Sequence, residues 1–160
     1  MKITRLALAL LIGLSISSVV FAETGEEKAM NKKAAFDIAL AQKHFKAVNE
    51  IDPQKKKALF EEVYAPNVHF SSPRGAVDGR AELEKLFEEI HKKSPGAVFQ
   101  EIGEIEAHHD IARVHWAMVD SGVSSGLTGD DFIKIKDGKV SEVYIVVNGW
   151  TKSNVANNQE

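Results

Sequence analysis

The stretch from Gly126 to Val147, GLTGDDFIKIKDGKVSEVYIVV, constrains the fold more than any other part of the chain. It reads as two strands and a turn. Asp131, Ile133 and Ile135 share one face at a period of two. Asp137-Gly138 is a strong hairpin dipeptide, because glycine tolerates positive φ. The return strand, Lys139 to Val147, places Val143, Ile145 and Val147 on one face and Tyr144 and Val146 on the other. A strand apolar on both sides needs something to cover each side. Asp131 is the anomaly, a carboxylate leading an apolar row. It is either a solvated acid at a strand start or an acid at the mouth of a pocket.

Residues 1–22 read as an export signal. Lys2 and Arg5 give a positive start, Leu6 to Val20 an apolar core, and Val20-Phe21-Ala22 a small-residue cleavage pattern. The apolar run of about 15 residues falls short of the ~20 that span a bilayer. No cysteine follows it, which argues against a lipoprotein. The expected location is periplasmic or secreted, with no membrane attachment after cleavage. Residues 23–160 then carry 18 basic and 23 acidic side chains, a net charge of −5. That balance disfavours nucleic acid, and no basic patch with interleaved aromatics occurs. The chain has no cysteine, so thiolate metal sites, cysteine nucleophiles and disulfides are excluded.

Residues 23–33 read as a flexible lead-in, 34–150 as one domain and 151–160 as a polar tail. A first helix is expected from about Ala34 to Asn49, with Phe36, Ala39, Leu40, Lys43, Ala47 and Val48 near helical spacing. Asp52-Pro53 caps a second helix whose apolar face is Leu59, Phe60, Val63 and Tyr64. Lys55-Lys56-Lys57 reads as a solvated face. Val68 to Ser72 is a short strand, followed by a loop that ends at Asp78-Gly79. Arg80 to Lys92 is a third helix, burying Leu83, Leu86, Phe87 and Ile90. Strands at Ala97–Ala107 and Ile111–Ser121 follow, with a turn at His108-His109-Asp110, and then the closing pair. The expected class is α+β, with the helices covering one face of a curved antiparallel sheet that leaves a cone. The inward row is Val114, Trp116, Met118, Asp131, Ile133, Val143, Ile145 and Val147. The outer face carries His115, Ala117, Val119, Phe132, Tyr144 and Val146, an apolar patch expected to pair two copies as a homodimer.

Several stretches fall in a familiar order: His44-Phe45-Lys46-Ala47-Val48-Asn49, Leu59-Phe60-Glu61-Glu62-Val63-Tyr64-Ala65-Pro66-Asn67-Val68, Ser72-Pro73, Asp78-Gly79-Arg80-Ala81-Glu82-Leu83, and Gly129-Asp130-Asp131-Phe132 with Asp137-Gly138-Lys139-Val140. Across Ala34 to Val147 the chain resembles the NTF2-like superfamily, and within it the SnoaL-like proteins and the steroid Δ5-3-ketoisomerases. The resemblance implies a cone-shaped barrel with a pocket and, commonly, a dimer through the outer sheet face. The ketoisomerase site pairs a base carboxylate with an oxyanion hole made of a tyrosine and a protonated acid. On that pattern Asp131 stands at the oxyanion acid and Tyr64 at a supporting tyrosine. Ser72 takes the place of the base, His44 that of the oxyanion tyrosine and Phe87 that of a further network tyrosine. Serine cannot abstract a carbon-bound proton unaided, so ketosteroid isomerisation by that route is not expected.

The expected catalytic pair is Asp131 with His44, facing each other across the cavity, with Asp131 raised in pKa by burial unless paired. The alternative is that the two merely satisfy each other, or that His44 lies on an exposed flank. Tyr64, Phe70, Ser72, Phe87, Val114, Trp116, Met118, Ile133, Ile145 and Val147 are the expected ligand-contacting residues. His69 and His115 read as outward-facing, His91 as a helix-end residue and His108-His109-Asp110 as turn residues rather than metal ligands. No nucleotide loop, metal spacing or cofactor motif occurs, so no cofactor is expected. Three classes remain: an exported module binding a small apolar or amphipathic molecule, a cofactor-independent isomerase, cyclase or dehydratase using Asp131 as acid/base, and a non-catalytic interaction domain.

Overall fold

The computed structural model describes residues 24–149. The expected export signal, Trp150 and the expected polar tail lie outside the described residues. Helix α1 runs Gly25–Asn49, α2 Pro53–Val63 and α3 Arg80–Lys93, with seven strands: β1 Tyr64–Ser72, β2 Gly75–Asp78, β3 Ala97–Glu101, β4 Glu106–His108, β5 Ile111–Asp120, β6 Val123–Lys136 and β7 Lys139–Val147. The helices lie on a curved, unclosed mixed sheet ordered β2-β1-β7-β6-β5-β3, with β4 on β5. Among the described residues no helix is long and apolar enough to cross a membrane.

Helix α1 starts at Gly25, ahead of the expected Ala34, so residues 25–33 of the supposed lead-in are helical. Thr24 and Glu27 form a reciprocal capping box, with Glu26 and Glu27 favourably placed in the first turn. That turn carries no apolar stripe, which is why hydrophobic spacing misses it. The buried stripe of α1 is also rotated from the expected one. It is Asp37, Leu40, Ala41, His44, Phe45, Ala47 and Val48, whereas Phe36, Ala39 and Lys43 face solvent. Two polar residues at inward positions disguise the pattern. One of them, Asp37, is held by Lys33 at 3.1 Å, and Lys33 also reaches Asp110 at 2.5 Å. These contacts tie α1 to the β4–β5 turn.

In α2, Asp52 accepts from the Lys55 amide at 2.9 Å with Pro53 in the first turn, as the sequence suggests. The lysine run is not wholly solvated. Lys56 shares the inner face with Phe60 and Val63, and its Nζ donates to His91 Nδ1 on α3 at 3.2 Å. Burial lowers the pKa of both groups.

The sheet departs from a pure meander. β1 runs parallel to β7, pairing Phe70 with Val143 and Tyr64 with Val140. The chain reaches β1 directly from α2, so its direction is set by that helix rather than by a turn. The loop after Ser72 is a hairpin, with β2 pairing back on β1. The expected Ala97–Ala107 strand divides into β3 and β4, which share one edge of β5. Asn49, at the end of α1, exchanges two hydrogen bonds of 2.8 Å with the backbone of Phe99 in β3. The closing hairpin is as expected, with Asp137 at φ 51° and Gly138 at φ 74°. From Gly129 onward β6 alternates strictly between inside and outside, with Asp131, Ile133 and Ile135 buried.

Candidate functional site

Strand alternation and the α1 stripe bring four polar side chains to one place. His44 points inward from α1, Asp131 from β6, Trp116 from β5 and Tyr64 from the α2–β1 junction. All are at most 3 % exposed. The Trp116 indole N–H donates to Asp131 Oδ1 at 2.7 Å. His44 Nε2 lies 3.1 Å from Asp131 Oδ2, and the Tyr64 hydroxyl lies 2.7 Å from His44 Nδ1. One proton arrangement gives every group at least one partner. Tyr64 O–H donates to Nδ1 of a neutral His44, whose Nε2–H donates to the Asp131 carboxylate, while Trp116, which can only donate, takes the other oxygen. Asp131 is thus not a solvated acid at a strand start.

Tyr64 is held far on the neutral side. Burial pushes its pKa well above the ordinary tyrosine value, and the charge of Asp131 adds to this. The raised pKa links its proton to folding. Below pH 10 the phenol is neutral in both states. As pH rises past 10 the unfolded chain loses the proton first, so stability falls. The expected slope is up to about 1.4 kcal/mol per pH unit above pH ~10. Alkaline denaturation followed by circular dichroism checks this, and Tyr64→Phe should remove that part of the slope.

The indole position rests on a glycine. Trp116 pairs across the strands with Gly129. A Cβ on Gly129 would sit 2.5 Å from Trp116 Cζ2 and 2.6 Å from the Val146 carbonyl oxygen. Only a bare backbone leaves room for the indole where its N–H reaches Asp131.

Beside this cluster opens a cavity of about 320 Å³. His44, Phe70, Ser72, Phe87, Trp116, Met118, Asp131, Ile145 and Val147 line it, all of them expected from sequence. Tyr64, Val114 and Ile133 do not. They are packed in the core, Tyr64 behind the His44 ring. The sequence reading missed Phe45 and Val48 on α1, Phe99 on β3 and Leu127 on β6 as wall residues. Val48 was legible as the residue four beyond His44 on the helix face. Arg74, Glu89 and Lys93, exposed residues lining the cavity, had no periodic signal. Ser72 spends its hydroxyl on the β1–β2 turn, donating to the Gly75 carbonyl and accepting from the Arg74 amide, both at 3.3 Å.

Of the other histidines, His69 sits half-buried against Asp78 at 2.7 Å, and His115 lies 3.4 Å from Asp130. His109 and Asp110 occupy a turn with positive φ. The described residues contain no group of three or more side chains placed to hold a metal ion.

The sequence profile of the SnoaL-like domain matches residues 41–143, an interval holding both His44 and Asp131. The chain belongs to the SnoaL-like family. Solved structures agree with this SnoaL-like assignment at the level of fold. An Agrobacterium tumefaciens protein, provisionally assigned as an isomerase of the SnoaL-like family, superposes with TM-score 0.68 at 22% identity, covering 72% of this chain and 99% of that one. A Kribbella flavida protein provisionally assigned as a ketosteroid isomerase gives 0.59 at 21% identity, with 75% and 83% covered. A provisional polyketide cyclase from Sinorhizobium meliloti gives 0.56 at 19%, with 68% and 94% covered. No curated protein sequence matches the chain.

Proposed function

We propose that this SnoaL-like domain binds a small apolar or amphipathic molecule in its cone. The observation that carries this is the cavity itself, apolar-walled, about 320 Å³ and floored by Asp131. That volume lies at the small end of the usual range for small-molecule sites, and a few convergent polar groups in an apolar hollow are their usual make-up. An open cavity also speaks against a plugged interaction domain. We place the protein in the periplasm or outside the cell, on the strength of residues 1–22. Native mass spectrometry of residues 23–160, purified gently from the export compartment, tests the reading. A small-molecule adduct is expected. Protein that stays free of adducts when challenged with a library of amphipathic compounds would overturn it.

A second reading is favoured by the Tyr64–His44–Asp131 chain of hydrogen bonds. Asp131 would take and return a substrate proton, with His44 orienting and compensating the carboxylate, in a cofactor-independent isomerisation, cyclisation or dehydration. The names of the structural neighbours lie in the same area of chemistry. Asp131→Asn separates the two readings. Turnover lowered by about 10²–10⁴-fold with binding kept marks an enzyme. Parallel loss of binding and turnover marks a binding role.

We also propose a homodimer through the outer sheet face, where Phe132, Tyr144 and Val146 are exposed by 40%, 46% and 54%. Sedimentation at micromolar concentration should give the dimer mass, and Val146→Asp should shift it to monomer.

A further inference from the structure

The proposed pocket is chemically polarised along its length, and this narrows the ligand. At the floor, Asp131 is 3 % exposed yet lines the cavity. A carboxylate accepts about four hydrogen bonds. Trp116 takes one oxygen and His44 the other, and these are its two partners among the described residues. Each oxygen therefore keeps accepting capacity, and a buried acceptor left short of donors is costly. A ligand that brings a donor to the floor recovers that cost. The donors already present are side chains fixed by packing: Trp116 stands over Gly129, and His44 is braced by Tyr64. The floor is thus preorganised to receive a donor rather than to supply one.

The side chains at the mouth have the opposite character. Lys93 lines the cavity there as an exposed cation, together with Arg74, and Glu89 is the exposed anion among the described lining residues. Between floor and mouth the wall is aromatic, with Phe70, Phe87, Phe99 and Trp116 in successive edge-to-face contacts at ring separations of 5.6, 6.2 and 5.5 Å. A cationic ligand would meet like charge on entry and pay full desolvation inside. A neutral hydroxyl meets neither obstacle.

We infer that the cavity takes an amphipathic hydroxy-acid: an aromatic or other flat apolar body, a neutral hydroxyl donated to Asp131 at the floor, and an anionic group at the mouth beside Arg74 and Lys93. This rests on the binding-pocket reading. It assigns Asp131 as the acceptor of a ligand hydrogen bond, and Lys93 and Arg74 as specificity residues.

Isothermal titration with three matched probes tests it. They are 6-hydroxy-2-naphthoate, 2-naphthoate without the hydroxyl, and methyl 6-hydroxy-2-naphthoate without the charge. The hydroxy-acid should bind tightest. Loss of the hydroxyl should weaken binding about tenfold, the scale of one hydrogen bond to a charged group. Loss of the anion should weaken it by about threefold, because the mouth charges are exposed to water, and added salt should erase that difference. In Asp131→Asn the hydroxyl advantage should shrink. In the surface double variant R74Q/K93Q the advantage of the acid over the ester should vanish while the hydroxyl advantage persists. Equal affinities for 2-naphthoate and its hydroxylated form overturn the floor assignment, and an ester that binds as well as the acid overturns the mouth assignment. Either result leaves the pocket reading standing. Failure of all three probes to bind overturns this inference, and the adduct screen by native mass spectrometry then decides the pocket reading separately.

Discussion

Replacing His44 with leucine should cost about 3–5 kcal/mol of unfolding free energy, the combined scale of leaving a buried carboxylate and a buried hydroxyl each short of a hydrogen-bond partner. Leucine fills much of the ring's space but offers no polar atom. The Asp131 carboxylate then loses the donor on Oδ2, and the Tyr64 hydroxyl loses its acceptor, at a site where His44 is 1 % exposed. Urea unfolding followed by circular dichroism measures the loss, with an unchanged m-value expected. The cause can be isolated. Adding Asp131→Asn in the His44→Leu background removes the stranded charge and should return at least ~1 kcal/mol. If the second change deepens the loss instead, the damage lies in packing, and the pair is not the electrostatic unit described above.

Gly129→Ala should be nearly as damaging, at about 3 kcal/mol, although it adds a single methyl group to a strand. The added carbon would meet both the rigid indole of Trp116 and the backbone oxygen of Val146. A flexible side chain could swing aside, but neither of these can. The ring must lift, and its N–H leaves Asp131. Near-ultraviolet circular dichroism should report the ring's new environment, and affinity for cavity ligands should fall with stability. A variant of wild-type stability and spectrum would mean that the strand itself shifts to make room.

The readable parts of the chain were those where pattern and packing agree. Period two in β5, β6 and β7 assigned Trp116, Met118, Asp131, Ile133, Ile145 and Val147 to the inner face, and Asp137-Gly138 marked the closing turn. The family resemblance singled out His44, which the apolar pattern alone did not. On α1 the inward positions 37 and 44 are charged or titratable, so the hydrophobic stripe read from Phe36 and Ala39 points the wrong way. Lys56 misled for the same reason, a polar residue seated on a buried face. The parallel β1–β7 pairing had no local signature, because it joins segments far apart in the chain. Gly129 could not be recognised either. Its requirement comes from a ring on the neighbouring strand, and nothing in its own surroundings in sequence shows that.

The two hydrogen bonds between Asn49 and Phe99 have a consequence for assembly. A strand at the border of a sheet offers unpaired amides and carbonyls to any passing chain. On β3 the Asn49 amide group imitates one residue of a neighbouring strand, giving an acceptor to the Phe99 N–H and a donor to its carbonyl. An incoming strand would have to evict the end of α1 before it could zip on. At the opposite border β2 spans only Gly75–Asp78, too short to template much. The short β2 and the Asn49-capped part of β3 therefore both resist strand-by-strand growth into fibres.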